Sequence, residues 1–308
     1  MFEIFQKTLV NEINLEGVGL HSGQPSKIKI LPAEADYGII FKRIDLKENN
    51  TIKACYQNVS SAKLCTKLEN EYKVKISTVE HLLAAFYITG IDNAIIEINN
   101  EEVPIMDGSA KDFLQVIENA GLRKLNKKRK YLKIVDKVEL IDGERKISIE
   151  PINSSFEVDF ELNYKNLLIG KQRNVVNFQR DNLTDVSNSR TFCLFEDIEK
   201  IKKIGLAKGG SLDNAVVVDK DKILNDGGLR NEKEFVNHKI LDLAGDFLLS
   251  KFGIIGKVTC HQGGHELTNM FLRKLLNSNS AYTTIELDQR EISKKINSFQ
   301  HEKIAVNA

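Results

Sequence analysis

Residues 238–246 constrain the fold of this chain more than any other segment. They read HKILDLAGD, so one histidine and two aspartates recur every four residues and, on a helix, lie along one face. The apolar residues between them would anchor such a helix in a hydrophobic core. A His and a carboxylate one turn apart can share a divalent metal ion such as Zn²⁺. A His–Asp hydrogen bond on a surface helix is the other interpretation of this spacing.

The composition is typical of a globular enzyme. A chain of 308 residues with 42% hydrophobic and 28% charged residues has room for two domains and a sizeable core. Its formal net charge of +1 gives no overall attraction to nucleic acid or to an anionic membrane. The apolar runs are shorter than the roughly 18–20 residues of a membrane span, and the N-terminus lacks a signal-peptide pattern. The four cysteines include no CxxC pair. We therefore expect a cytoplasmic enzyme with free thiols.

Short β-type runs alternate with helical patterns in the first third of the chain. Period-two alternation and β-branched residues predict strands at residues 27–31, 38–41 and 94–98. Helical spacing of apolar residues predicts helices at residues 78–88 and 109–120. Ser77 or Thr78 is the expected N-cap of the first helix.

A basic run at residues 123–130 (RKLNKKRK) separates two parts of similar texture. It is polar, has no apolar face and contains no aromatic residue, so it predicts a solvated linker rather than a nucleic-acid patch. Beyond it, the patterns predict strands at residues 131–135, 146–150, 156–162 and 215–219, and helices at residues 195–204, 232–249 and 266–276.

Two further histidines stand in unusual surroundings. His81 follows Glu80 near the start of an otherwise apolar helix, and burying such a pair is costly unless a metal or a partner compensates. A core histidine paired with a local carboxylate is the alternative. His265 lies in the sequence QGGHE, where the glycines would let backbone and imidazole approach a ligand closely. A helix cap or a turn is the alternative there.

Together these residues fit a zinc hydrolase. Two neutral imidazoles and one carboxylate can hold Zn²⁺ and leave a fourth position open for water. His81, His238 and Asp242 fit that ligand set. Glu80 fits the general base and His265 the general acid, and His261 and His301 are weaker candidates. Cys65 is a candidate nucleophile, although cysteine is often just a small buried residue.

Several segments of the chain resemble the signature of the UDP-3-O-acyl-N-acetylglucosamine deacetylases, the zinc enzymes of the committed step of bacterial lipid A synthesis. The segments are STVEHLLAA at residues 77–85, HKILDLAGD at residues 238–246 and the Gly264-His265 pair. Further matching stretches are GVGLHSG at 17–23, VPIMDGS at 103–109, SRTF at 189–192 and LNDGGLR at 224–230. Because the motifs occur in the right order over nearly the whole chain, the resemblance is specific.

The resemblance implies a role for each matching residue. His81, His238 and Asp242 would be the zinc ligands and Glu80 the general base. The general acid would be His265, paired with Asp246, and the hydroxyl of Thr191 would help to stabilise the tetrahedral oxyanion. Lys239 and Phe192 match substrate contacts. Cys65 matches a substrate-binding cysteine near the metal, which is not the nucleophile in this family.

The resemblance also implies the fold: α+β, with two domains of similar topology that each pack a small β-sheet against helices, and the active site at the domain interface. The first domain would span residues 1–126 and the second residues 127–308. An insert around residues 193–222 would form a tunnel for a fatty acyl chain. Its lining is small or apolar, as an acyl chain requires, and comprises Leu20, Ile198, Ala207, Gly210, Ser211, Ala215 and Val217.

The expected activity is zinc-dependent removal of acetyl from UDP-3-O-(3-hydroxyacyl)-N-acetylglucosamine, with one Zn²⁺ as cofactor. The expected partner is this UDP-linked acylated glucosamine, with no nucleic acid, no transmembrane segment and no obligate protein partner. Two alternatives stay open: a zinc hydrolase of another N-acyl sugar, and a non-catalytic protein with structural zinc. Structural zinc sites usually have four protein ligands, often cysteines, whereas this sequence offers three.

Overall fold

The computed structural model describes residues 3–288, and the first half of the chain is built around a five-stranded sheet. The strands of this half are β1 (Phe5–Leu9), β2 (Ile13–Val18), β3 (Pro25–Pro32), β4 (Ile39–Arg43), β5 (Thr51–Lys53), β6 (Val59–Ser61), β7 (Lys67–Glu69), β8 (Lys75–Ile76) and β9 (Ala94–Ile98). The sheet has the order β2-β3-β9-β4-β5, with β9 antiparallel to β3 and parallel to β4. Strands β6, β7 and β8 form a separate small sheet.

Two helices, α1 (Glu80–Thr89) and α2 (Lys111–Ala120), belong to this half. In β9 the side chains of Ala94, Ile96 and Ile98 are fully buried, while those of the intervening residues are half-buried. The predicted strands at residues 27–31, 38–41 and 94–98 and the two predicted helices are confirmed, with ends that shift by up to two residues. The α+β class follows from these elements and from those of the second half.

The predicted N-cap of α1 is wrong. The helix begins at Glu80, Val79 holds the cap position, and no side chain caps it. Thr78 has φ of 57°, and its hydroxyl donates to Glu102 Oε1 at 2.8 Å. Because the carboxylate of Glu102 is buried and needs donors, it takes the hydroxyl that would otherwise cap the helix.

The second half is built around a seven-stranded sheet whose central strand is β19. The strands of the whole second half are β10 (Leu122–Lys128), β11 (Lys130–Ile134), β12 (Val138–Asp142), β13 (Arg145–Glu150), β14 (Phe156–Asn163), β15 (Lys171–Asn177), β16 (Phe192–Leu194), β17 (Val216–Asp219), β18 (Lys222–Ile223), β19 (Gly253–His261) and β20 (Tyr282–Glu286). Strand β19 pairs antiparallel with β13 and parallel with both β11 and β14. Strands β16, β17 and β18 form a small separate sheet.

The helices of this half are α3 (Thr184–Asn188), α4 (Phe195–Lys203), α5 (Glu234–Leu248) and α6 (His265–Asn277). The predicted helices at residues 195–204, 232–249 and 266–276 correspond to α4, α5 and α6 and are confirmed. The four strands predicted here are also confirmed, whereas β12, β15 and β20 were not predicted. Within residues 3–288, no helix combines the length and the apolar composition needed to cross a membrane.

The basic run at residues 123–130 is not a linker. Most of it forms β10, which pairs antiparallel with β1, and the chain continues at once into β11. Its side chains are mostly exposed, as expected, but Arg129 is buried beside Asp92, with Nε 2.9 Å from Oδ1. The lysines of an exposed edge strand serve solubility, and their pattern resembles that of a loop because neither face is apolar.

Helices α1 and α5 pack directly against each other and join the two halves in one continuous apolar cluster. The contact is closest at Gly245 of α5, where a Cβ atom would overlap the backbone carbonyl oxygen of Glu80. Glycine costs helix stability relative to alanine. Here it permits a backbone approach that no larger residue allows, and it places the first turn of α1 beside the C-terminal third of α5.

This close approach predicts the sign of one substitution. Gly245→Ala should lower the free energy of unfolding by about 1–3 kcal/mol, because the added methyl group forces the helices apart. If the contact were unimportant, alanine would raise that free energy by up to about 1 kcal/mol through helix propensity. Urea unfolding of both chains distinguishes the two signs, and stabilisation by alanine would contradict the packing described here.

Candidate active site

His81 of α1 and His238 and Asp242 of α5 meet at the junction of the two helices. All three are buried, and one ligand atom from each lies within 4.8 Å of the others. The Oδ1 atom of Asp242 is 3.5 Å from Nε2 of His81 and 3.3 Å from Nε2 of His238. Asp242 and His238 share one face of α5 because they are four residues apart, as the sequence predicts.

The protonation of His238 indicates that a cation belongs between these groups. Burial lowers the pKa of His238 to about 3, so its ring is neutral. Its Nδ1 is 3.0 Å from the carbonyl oxygen of Ser189, which can only accept, so Nδ1 carries the proton and Nε2 presents a lone pair. That lone pair faces a carboxylate oxygen, an arrangement that is repulsive without a positive charge between them.

Asp242 has the charge and the free oxygen that such a cation requires. Burial alone would raise the pKa of its carboxyl, but the positive charges of Lys239 and His265 hold it well below its ordinary value. Its Oδ2 accepts from Lys239 Nζ at 2.9 Å. Its Oδ1 is buried and has no hydrogen-bond partner among residues 3–288. The three residues therefore fit a metal ion, with Asp242 offering one oxygen.

Glu80 lies beside these groups at the first position of α1. Its side chain is buried, which raises the pKa of the carboxyl, although His265 and His81 oppose the shift. Oε2 accepts from the backbone N–H of Thr66 at 3.1 Å, and Oε1 is 3.6 Å from Nε2 of His265. A buried carboxylate with a raised pKa is suited to take up a proton near neutral pH.

His265 opens α6 and has the opposite electrostatic character to His238. Burial would lower its pKa, but the carboxylates of Asp246, Asp242 and Glu80 raise it to about 10, so the ring carries a positive charge at neutral pH. Nδ1 donates to Asp246 Oδ2 at 2.8 Å. Nε2 faces Asp242 Oδ2 at 3.7 Å. Asp246 therefore orients the ring so that Nε2–H points toward the group of His81, His238 and Asp242, which we call the metal group.

The two glycines before His265 differ in their surroundings. A Cβ atom at Gly263 would overlap Sγ of Cys260 and press on the ring of Phe160, while one at Gly264 would meet nothing within 4 Å. Gly263 thus serves packing against β14 and β19, and Gly264 is in extended conformation with φ of −179°. Packing therefore accounts for Gly263, while a close approach of backbone to a ligand at Gly264 stays a prediction.

An apolar cavity of about 350 Å³ opens beside the site, within the size range of small-molecule sites. Thr191 and Phe192 line it. So do all seven residues that the sequence assigned to the acyl tunnel, which are Leu20, Ile198, Ala207, Gly210, Ser211, Ala215 and Val217. Sequence reasoning missed other lining residues, among them His21, Leu64, Cys193, Phe195, Leu212 and Leu224. Phe192 connects the cavity to the metal group, since its ring centroid is 6.3 Å from that of His238.

The two remaining predicted substrate contacts lie differently. Lys239 Nζ stands 5.5 Å from the ring centroid of Phe192 while it donates to Asp242. Cys65 is buried and does not line the apolar cavity. Burial and the charge of Glu80 raise the pKa of its thiol to about 12. A nucleophilic cysteine needs the opposite shift, so the geometry disfavours a Cys65 hydrolase. His301 lies outside the described residues.

Three supporting residues escaped the sequence analysis. Glu234 is fully buried and binds the guanidinium of Arg190, with Nε to Oε1 at 2.8 Å, which holds the segment carrying Ser189 against α5. Glu102 accepts from the backbone N–H groups of His21 at 2.8 Å and Ser22 at 2.7 Å, and so shapes the rim of the cavity. Thr66 contacts both Glu80 and Asp246. These contacts span up to 180 residues, and one sequence has no local signal for them.

One family model and several known proteins match most of this chain. The family model described as UDP-3-O-acyl N-acetylglycosamine deacetylase matches residues 6–277. A protein of Teredinibacter turnerae named UDP-3-O-acyl-N-acetylglucosamine deacetylase is 42% identical over 291 residues, which cover 94% of this chain and 95% of the relative. Proteins of the same name from Geotalea uraniireducens and Pseudoalteromonas translucida are 41% and 39% identical, covering 93% and 91% of this chain and 93% of each relative.

Proposed function

The chain belongs to the UDP-3-O-acyl N-acetylglycosamine deacetylase family, and we propose that it hydrolyses the acetamide of UDP-3-O-(3-hydroxyacyl)-N-acetylglucosamine. Water adds to the acetyl carbonyl carbon, the C–N bond breaks, and the products are acetate and the free 2-amine. This reaction belongs to lipid A biosynthesis. The observation that carries the proposal is the buried group of two imidazoles and one carboxylate with an acid and a base beside it.

We infer that the cofactor is one zinc ion, held by His81, His238 and Asp242. Imidazole and carboxylate ligands suit zinc, and a set of three protein ligands is typical of catalytic rather than structural zinc sites. When bound, zinc polarises a carbonyl and lowers the pKa of water toward neutrality. The unpaired Oδ1 of Asp242 and the facing lone pair of His238 support this assignment.

The protein's own groups handle the protons. In this mechanism the carboxylate of Glu80 takes a proton from the attacking water, which its raised pKa favours. The Nε2–H of the charged His265 donates to the departing nitrogen, and Asp246 holds the ring in place through Nδ1. Glu80 Oε1 and His265 Nε2 are 3.6 Å apart, which supports the proposal that base and acid act on the same acetamide group of the substrate. Thr191 would donate its hydroxyl to the oxyanion.

The apolar cavity is proposed to hold the 3-O-acyl chain. Its lining comes mainly from β16, α4 and the segment of residues 204–215, and Leu20, His21 and Leu64 of the first half complete it. Because Phe192 lines the cavity and its ring centroid is 6.3 Å from that of His238, a sugar that carries an acyl chain there would present its acetamide to Glu80 and His265. Lys239 lies at the same junction and is the proposed polar contact for the sugar.

We propose two α+β domains of similar topology, residues 1–126 and 127–308, with the active site between them. Glu80 and His81 come from the first part, and His238, Asp242 and His265 come from the second. Residues 289–308 of the second lie outside the described residues. A cytoplasmic location is part of the same proposal, because the substrate is a nucleotide sugar.

The ligand assignment predicts a loss of zinc. Purified His238→Ala and Asp242→Ala chains should retain far less than one zinc ion per chain, because each lacks one of three ligands. The control is His261→Ala, since His261 is paired with Glu161 at 3.0 Å on the surface of β19 and β14. Elemental analysis after dialysis against a weak chelator measures the content. Full zinc in either ligand variant would contradict the assignment.

The base assignment predicts a loss of turnover without loss of zinc. Glu80→Gln keeps the shape and the contact with Thr66 but cannot take up a proton, so acetate release should fall about 100- to 10,000-fold. Zinc content should stay at the level of the unchanged chain. The control is Glu118→Gln on the exposed face of α2, which should leave the rate unaltered. Near-normal acetate release by Glu80→Gln would overturn the mechanism.

A further inference from the structure

Thr66 is a buried residue between β6 and β7 that contacts both proton-transfer groups of the site. Its side chain is 2% exposed. The hydroxyl lies 2.6 Å from Asp246 Oδ1, and the backbone N–H donates to Glu80 Oε2 at 3.1 Å. Its carbonyl oxygen accepts from the backbone N–H of Val79 at 3.5 Å, which ties the residue to the start of α1.

The direction of each proton follows from the chemistry of the three side chains. An aspartate carboxylate can only accept, so the single hydroxyl proton of Thr66 goes to Asp246 Oδ1. The other carboxylate oxygen, Oδ2, accepts from Nδ1–H of His265. A lone pair of the hydroxyl oxygen then faces the same Nδ1 at 3.3 Å. Both oxygens of Asp246 are therefore engaged, and they fix the orientation of the His265 ring through Nδ1–H.

The same residue fixes the base relative to the acid. Asp246 and His265 lie 180 and 199 residues further along the chain, whereas Glu80 is 14 residues away. One residue of the first half thus binds the acid's aspartate through its side chain and the base through its backbone. None of its hydrogen bonds within residues 3–288 goes to His81, His238 or Asp242.

We propose that Thr66 is a positioning residue for the reaction, which holds the Asp246–His265 pair and Glu80 in register with each other. The proposal rests on the proposed function, because Thr66 acts only through residues assigned to that chemistry. Outer partners of this kind contribute about 10- to 100-fold to activity in metalloenzymes. Since the contacts bypass the metal group, the effect should appear in turnover and not in metal content.

The test compares Thr66→Val with Thr66→Ser in the zinc-loaded enzyme. Valine keeps the shape and the backbone N–H but removes the hydroxyl, so kcat should fall about 10- to 100-fold while KM and zinc content stay unchanged. Serine restores the hydroxyl and should recover most of the turnover. The matched control is Thr8→Val, because Thr8 is fully buried and loses two hydrogen bonds, to Asn93 and Ala33, away from the site.

A double-mutant cycle shows whether Thr66 acts through Asp246. In an Asp246→Asn background, Thr66→Val should cost much less than in the unchanged chain, because the pair it positions is already disrupted. An equal cost in both backgrounds would contradict the proposal. So would an unchanged kcat for Thr66→Val, or a loss of turnover that Thr66→Ser does not restore.

Two other outcomes are distinguishable from these. If Thr66→Val does not fold, Thr66→Ala takes its place with the same expectation. Failure of both chains to fold, or a loss of turnover matched by Thr8→Val, would assign the residue to stability and overturn the proposal. If the unchanged chain releases no acetate from the UDP-acyl-sugar, the proposed function fails and the role of Thr66 fails with it.

Discussion

The close packing of α1 against α5 is the constraint on which the rest of the site depends. Gly245 lets the backbone of α5 reach the carbonyl of Glu80, so the first turn of α1 meets the C-terminal third of α5. That contact brings Glu80 and His81 beside His238, Asp242 and Asp246. Burying so many ionisable groups is costly unless their charges are matched. The arrangement therefore requires both the network of hydrogen bonds around it and a cation at its centre.

Two buried histidines of the same site have opposite pKa shifts because different charged groups surround them. His238 contacts a backbone carbonyl and a second imidazole, and burial lowers its pKa to about 3. His265 faces three carboxylates, which outweigh burial and raise its pKa to about 10. The first is thereby neutral, as the proposed metal ligand must be, and the second is cationic, as the proposed proton donor must be. Surroundings that shift the pKa values of two histidines in opposite directions allow the same residue type to serve two different roles in one site.

Sequence reasoning found the parts of the site that have a local pattern. The four-residue spacing of His238, Asp242 and Asp246 predicted a shared helix face, and α5 has that form. Sequence reasoning missed the hydrogen bonds between residues that are far apart in the chain. The hydroxyl of Thr78 donates to Glu102 and does not cap α1, and the hydroxyl of Thr66 donates to Asp246, 180 residues away. The basic run at residues 123–130 was misjudged because an exposed edge strand has no apolar face to distinguish it from a linker.

The central claim is that this buried group holds a metal ion that the chemistry requires. Acetate release from UDP-3-O-(3-hydroxyacyl)-N-acetylglucosamine by the unchanged chain, before chelation, after chelation and after zinc is returned, tests it most directly. If the metal ion is required, the chelated, metal-free protein stays folded, releases almost no acetate, and recovers turnover as zinc approaches one ion per chain. Full turnover by the metal-free protein would contradict it.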